Sequence, residues 1–393
     1  MSLPLYPRDG KKKCVILDGG LGTTLEQTFG LDISNTALWS AKAAVEHPSV
    51  VVAAHLAFLR AGARIILTST YQSARSAFER AGYADADARN LMVACVQLAI
   101  EARSRFVAEQ KAPGADNDSD TGTVKIALSL GPFGAGLAPA QEFDGFYPPP
   151  FGPRAYTPDG GNCNAFPQDA AGRAAEAAAT EALARFHFER LCVFADDAAT
   201  WAAVDVIAFE TVPLVREIRA IRTAVAALEA RHAGARKPWW ISCVFPGGHF
   251  PESALGEGDA GKVPVGAVVA AALGDSDALA GSARLPRPSA LGINCTAMEA
   301  VPCVLRHMEA AVQEFRVRGD DCPWLVLYPN GGDVYDPVSQ TWVVQDKAGV
   351  WGEELMKIVA EAMSRGNWAG VVAGGCCRTG PDDIALLSKG QGE

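Results

Sequence analysis

Short apolar runs rich in Val, Ile, Leu and Trp alternate along this chain with longer, Ala-rich stretches of helical period. Runs that are apolar on both faces suit strands covered from both sides, and the stretches between them are long enough to cross back over a sheet. The runs are Cys14–Asp18, Arg64–Thr70, Val124–Leu130, Val204–Glu210, Trp239–Phe245, Ala290–Asn294, Trp324–Tyr328 and Trp368–Ala373. Helices are predicted over Thr36–Ala61, Ser73–Glu109, Gly172–Thr200, Pro213–His232, Val263–Leu273, Ala297–Val317, Glu353–Arg365 and Asp382–Leu387. Eight strands, each followed by a helix, predict an α/β chain folded as a (β/α)8 TIM barrel, one domain over residues 1–393. A doubly wound sheet is the alternative, because periodicity does not show closure. Gly19-Gly20-Leu21-Gly22 follows a strand, but it lacks the Gly-x-Gly-x-x-Gly spacing that a dinucleotide site requires.

Three segments interrupt the alternation. Residues 112–123 are polar and rich in Gly and Asp, as a surface loop would be. Residues 141–171 carry many Pro, Gly and aromatic residues and follow the third strand. On a barrel they would lie over the mouth as a lid. Residues 247–289 follow the fifth strand and extend the same rim.

Composition narrows the class of partner. The chain is 49% hydrophobic and carries a formal charge of −10, with no Lys/Arg stripe beyond Lys11 to Lys13. That balance argues against nucleic acid as the partner. The start of the chain lacks a secretory pattern and no apolar stretch is long enough to span a bilayer, so a cytoplasmic location is expected. The ten cysteines are scattered through a large chain, several inside apolar elements, which fits reduced thiols, most of them small core residues.

On a barrel, chemistry collects at the C-terminal ends of the strands. Those ends read Asp18-Gly19-Gly20, Thr68-Ser69-Thr70-Tyr71-Gln72, Gly131-Pro132-Phe133-Gly134, Glu210, Asn294-Cys295, Tyr328-Pro329-Asn330 and Gly374-Gly375-Cys376-Cys377-Arg378. Neighbouring cysteines do not readily bond to each other, because a disulfide needs a wider Cα separation. Cys376 and Cys377 on a glycine turn, with Cys295 arriving from another strand end, suit one Zn2+ held by three thiolates with its fourth position open. A metal-free or redox-active cysteine pair is the competing interpretation. Asp18 and Glu210 could grip an ammonium group, and the amides of the Gly19, Gly20 and Gly22 turn could receive a carboxylate, which together describe a pocket for a free α-amino acid. The plainer alternatives are that Asp18 caps the next element and Glu210 pairs with an arginine. Thr70 and Asn330 are further polar candidates on the rim. Tyr71, Phe133 and Tyr328 could turn their rings to a cationic ligand. The six histidines show no metal-ligand spacing.

Taken together, Asp18-Gly19-Gly20-Leu21-Gly22-Thr23, Thr70-Tyr71-Gln72, Ser129-Leu130-Gly131-Pro132, Gly292-Ile293-Asn294-Cys295-Thr296, Tyr328-Pro329-Asn330 and Gly374-Gly375-Cys376-Cys377-Arg378 resemble the homocysteine S-methyltransferases. The resemblance runs from the first strand to the last. It implies a zinc-dependent barrel that methylates homocysteine to methionine, with zinc on Cys295, Cys376 and Cys377. It further implies that Asp18 and Glu210 hold the homocysteine amino group and that Gly19-Gly20 lies near the substrate. The branch using a sulfonium donor, S-methylmethionine or S-adenosylmethionine, is the nearest in pattern. Two alternatives stay open: another small thiol or selenol acceptor such as selenocysteine, and a thiol or zinc redox switch without turnover.

Overall fold

The computed structural model describes residues 14–33, 40–111, 124–232, 234, 236–254, 261–275, 284–315, 322–332, 334–336, 341–343 and 350–390. All eight apolar runs are strands: β1 (Cys14–Ile16), β2 (Ile65–Leu67), β3 (Lys125–Leu130), β4 (Val206–Val212), β5 (Trp239–Cys243), β6 (Ala290–Asn294), β7 (Trp324–Tyr328) and β8 (Val371–Ala373). They form one parallel sheet in the order β1-β8-β7-β6-β5-β4-β3-β2. The ends of that order meet at a parallel bridge between Leu17 and Ile65. Two backbone bonds flank it, Arg64 N to Ile16 O at 2.8 Å and Asp18 N to Ile65 O at 3.1 Å. The sheet is therefore a barrel, and the doubly wound alternative is excluded.

Successive strand residues face opposite sides of the sheet, so each strand serves two cores. Along β3, Ala127 belongs to the cluster inside the barrel, where Trp240, Trp324 and Tyr328 supply the bulk. Its neighbours Ile126 and Leu128 join the larger cluster between sheet and helices. Each buried indole removes about 200 Å² from water, roughly 5 kcal/mol before entropy is counted.

Several helices break where the chain carries punctuation. The stretch predicted as Thr36–Ala61 is two helices, Ser40–Glu46 and Pro48–Arg60. Pro48 drives His47 out of the helical region, to φ −134° and ψ 53°. Ser73–Glu109 divides into Arg75–Arg80 and Asp85–Gln110 around Gly82, whose φ is +91°. The third stretch becomes Ala170–Ala195 and Ala198–Ala203, the second helix capped by Asp197, which accepts from Thr200 N. A short helix at Leu21–Gln27 and an antiparallel hairpin of Val334–Asp336 with Thr341–Val343 were not anticipated. Residues 112–123 lie outside the described residues, as do 255–260 and 276–283 of the third insertion.

The segment after β3 has no strand and no helix longer than one turn before Ala170, yet it is firmly packed. Tyr147 is fully buried and its hydroxyl donates to Glu217 Oε2 at 2.7 Å. Asn164 donates to Asp144 O at 2.7 Å and Pro251 O at 3.0 Å, and accepts from Ser253 N at 3.0 Å. These bonds tie the insertion after β3 to the one after β5.

Candidate metal and substrate site

Three non-glycine residues among those described have a left-handed φ: Thr211 (+59°), Cys295 (+48°) and Arg378 (+65°). All three stand just past the C-terminal ends of strands, or in Thr211's case at the end itself. Such backbone is costly for a residue with a Cβ and persists where surrounding contacts enforce it. At Thr211 the enforcement is visible. Asn294 Oδ1 accepts from Thr211 N at 2.9 Å, and Asn294 Nδ2 donates to Thr211 Oγ1 at 2.7 Å. Thr211 Oγ1 in turn lies 3.9 Å from Cys295 Sγ. The β4–β5 register slips between Phe209 and Val212, a bulge that re-aims Glu210 and Thr211.

The second cysteine-bearing turn is held from several sides. Gly374 N donates to Leu327 O at 2.9 Å, Gly375 N to Asp18 O at 3.0 Å and Cys376 N to Pro329 O at 2.9 Å. Cys377 O accepts from Gly331 N at 2.8 Å, and Cys376 O accepts from Thr379 Oγ1 at 2.6 Å. Gly374 is required by crowding, because a Cβ there would stand 2.6 Å from Asp18 O and 2.7 Å from Leu17 Cβ. The result is convergence. The sulfurs of Cys295, Cys376 and Cys377 all lie within 4.8 Å of one another.

The sulfurs of Cys295 and Cys376 stand in contact, with their Cα atoms 5.6 Å apart, and the Cys377 sulfur lies 4.0 Å from that of Cys376. Two thiols aimed at one point from adjoining strand ends are also within bonding reach of each other, and this Cα spacing is ordinary for a disulfide. Burial, reinforced by Glu142 and Glu26, pushes the Cys377 thiol up to about 12. A thiol so placed becomes a thiolate at neutral pH only beside a strong local positive charge. Three clustered sulfurs and that electrostatic demand fit a thiolate-bound divalent cation.

Asp18 and Glu210 share this rim. Asp18 is fully buried, its Oδ2 accepting from Leu67 N at 2.8 Å while its Oδ1 has no partner among the described residues. Burial raises its pKa well above the ordinary carboxylate range, and the Glu210 charge adds to the rise. Glu210 accepts a short bond from the Ser129 hydroxyl and another hydrogen bond from Tyr328. Burial pushes it up to about 7, against the opposing pull of those bonds and of Arg190. Two enclosed acids, with Asp18 Oδ1 unpartnered among the described residues, could receive a positively charged group.

The remaining predicted residues take various parts. A Cβ at Gly19 would stand 2.6 Å from Thr379 O and 2.8 Å from the Phe58 ring, so glycine allows a close approach there. The Gly20 amide donates to Thr379 O at 3.0 Å and to Thr379 Oγ1 at 3.1 Å, which engages it within the fold. Thr70 is buried, and its hydroxyl donates to Ser129 O at 2.6 Å, tying β2 to β3. Asn330 is held through its main chain by Thr296 and Trp351, and its buried Oδ1 has no partner among the described residues.

Sequence reading missed Thr211 and Arg190. Arg190, on helix Ala170–Ala195, is buried and donates to the carbonyls of Ser73, Gly131, Thr70 and Tyr71. It fixes the ends of β2 and β3 around the site. An arginine in an Ala-rich helix carries no local sign of this role.

Comparison with known sequences decides the family. The sequence profile described as homocysteine S-methyltransferase matches residues 15–390. The chain belongs to the homocysteine S-methyltransferase family. As a member it is an enzyme of the methyltransferase class. It is 30% identical over 385 residues to homocysteine S-methyltransferase of Escherichia coli strain K12, covering 98% of this chain and 97% of the relative. It is 31% identical over 383 residues to selenocysteine Se-methyltransferase of Brassica oleracea var. italica, covering 95% and 88% respectively. Among solved structures, the metallated form of the homocysteine methyltransferase MmuM from Escherichia coli superposes with a TM-score of 0.64 at 27% identity, over 96% of each chain. An oxidized form of the same protein superposes at 0.65 and 28% identity, again over 96% of each chain. Its family and its cysteine cluster thus point in the same direction.

Proposed function

We propose that this enzyme transfers a methyl group from a sulfonium donor, S-methylmethionine or S-adenosylmethionine, to the sulfur of homocysteine, giving methionine. The observation that carries the reading is the convergence of three cysteine sulfurs within 4.8 Å beside Asp18 and Glu210. Cys295, Cys376 and Cys377 would hold zinc as thiolates, and bound zinc lowers the pKa of an acceptor thiol so that it enters as a thiolate. Asp18 Oδ1 and Glu210 take the acceptor's ammonium and so orient its sulfur towards the cysteine cluster. The Gly19 turn and Asn330 lie where the acceptor's polar end would rest. The barrel excludes water from this rim and holds the reactants in line. The acceptor sulfur's lone pair forms the new S–C bond as the donor's S–C bond breaks, and that bonding pair stays on the donor sulfur. A sulfonium leaves as a neutral thioether, so no general acid is required. We read residues 1–393 as one barrel domain working in the cytoplasm, where reduced thiols persist. No described helix is long and apolar enough to cross a membrane.

The experiment measures zinc per chain and methionine formation with homocysteine and each donor, in protein kept reduced. About one zinc per chain with turnover of one donor is expected. Cys376→Ser is expected to lower both together, and an active, zinc-free variant would sink the assignment. A second acceptor deserves the same assay, because the selenocysteine enzyme is as similar to this chain as the homocysteine enzyme is. Selenocysteine in competition with homocysteine separates the two. A switch without turnover is at odds with membership of an enzyme family.

A further inference from the structure

One acid near the cysteine cluster has no part in the chemistry described so far. Glu142 lies in the insertion after β3, where Gln141 N donates to Gly134 O at 2.9 Å and Gly145 N closes a turn on Gln141 O at 2.8 Å. Gly134 permits that approach, since a Cβ there would stand 2.6 Å from the Tyr147 ring and 2.7 Å from the Gln141 carbonyl. The Glu142 side chain is half-buried as a whole, but its Oε2 is shut off from solvent and has no hydrogen-bond partner among the described residues. A buried carboxylate oxygen without a partner is a costly arrangement that a cationic ligand would relieve.

Its neighbours define where that ligand would lie. The charge of Glu142 bears directly on Tyr71 and on Cys377. The charge of Glu210 bears on Asp18. Tyr71 feels both Glu142 and Glu210, so the three share one rim. The rim thus holds Glu142 in addition to Asp18 and Glu210, beside one sulfur cluster. The proposed reaction brings two cations to it, the acceptor's ammonium and the donor's sulfonium. Asp18 and Glu210 serve the first.

We infer that Glu142 is the counter-ion of the methyl donor, the carboxylate that selects a positively charged sulfonium at this site. The inference rests on the sulfonium reading given above. Burial also pushes Glu142 up to about 7, as befits an acid enclosed without a cation. The charge balance of the reaction sharpens the role. An acceptor thiolate and a donor sulfonium become two neutral thioethers, with the methyl carbon passing from one sulfur to the other. Glu142 therefore attracts the donor more strongly before transfer than during or after it. Such an interaction lowers the donor KM without raising kcat, and it weakens once the neutral product forms.

The test is steady-state kinetics of Glu142→Gln and Glu142→Asp with S-methylmethionine and homocysteine, alongside metal content. Glu142→Gln is expected to raise the donor KM about tenfold or more, as loss of a charge-assisted contact implies. It should leave kcat undiminished, the homocysteine KM within about twofold and the metal content unchanged, while Glu142→Asp restores part of the donor affinity. Those readouts separate donor recognition from a merely structural role. An unmoved donor KM, or a rise confined to homocysteine, overturns the inference while leaving the methyl transfer reading intact. A wild-type enzyme that methylates homocysteine only from an uncharged donor overturns both.

Discussion

Replacing Arg190 with methionine tests whether the rim is built on the buried guanidinium. Arg190 is 4% exposed and donates to Ser73 O at 2.7 Å, Gly131 O at 2.8 Å, Thr70 O at 2.8 Å and Tyr71 O at 2.6 Å. Two of these carbonyls have a second partner, Thr70 O accepting from Ser73 N and Tyr71 O from Gly131 N, both at 3.0 Å. The carbonyls of Ser73 and Gly131 have no other partner among the described residues. Burial lowers the Arg190 pKa to about 10, so it remains a cation at neutral pH. Each orphaned buried carbonyl costs about 1–3 kcal/mol, so two cost about 4 kcal/mol in all. That is a large share of the roughly 5–15 kcal/mol that holds a typical protein folded. Methionine keeps the apolar stem and removes the donors, which isolates the hydrogen-bond contribution. With a denaturant slope of about 2 kcal/mol per molar, the urea midpoint should fall by about 2 M. Arg190→Lys, which keeps a charge but offers three donors from a single point, should recover only part of the loss. A midpoint change in Arg190→Met worth less than about 1 kcal/mol would refute the assignment of those carbonyls to Arg190.

Two other perturbations probe the turn and the core. Gly374→Ala forces a methyl against Asp18 O and Leu17 Cβ. It should lower zinc content and activity together, and normal metal loading would show that the turn tolerates the methyl. His55 is fully buried with both ring nitrogens unpartnered among the described residues, and burial lowers its pKa from 6.5 to about 4. The folded state refuses a proton that the unfolded chain accepts, so this contribution is intact above pH 6.5 and is lost as pH falls towards 4. The shift corresponds to about 3 kcal/mol. His55→Leu should flatten the stability profile across that window, and an unchanged acid slope in denaturation curves would rule out His55 as its source.

The barrel was legible because strands buried on both faces appear as unbroken apolar runs, and each run's polar terminus marked the rim. Cys295, Cys376, Cys377, Asp18 and Glu210 could be picked out because thiols and acids within a few residues of Ile293, Ala373, Leu17 and Phe209 stand out against those apolar runs. The breaks at Pro48 and Gly82 were also written in the sequence, though they were passed over within long helical periods. What stayed hidden depends on contacts between residues far apart in the chain. Asn294 locks Thr211 across 83 positions, and Arg190 reaches carbonyls 59 to 120 positions away. Glu142 sat unnoticed in a segment whose Pro and Gly content spoke only of a loop.

The barrel seam gives Asp18 a double role. Where β1 meets β2, the ladder is short: Leu17 bridges Ile65, and the next rung is a side chain, Asp18 Oδ2 accepting from Leu67 N. The group proposed to face the acceptor's ammonium is thus also a stitch that closes the cylinder. If a cation settles on Oδ1, the same carboxylate links the pocket to the Leu67 amide. The exchange rate of that amide with deuterated solvent is then expected to change when homocysteine is added.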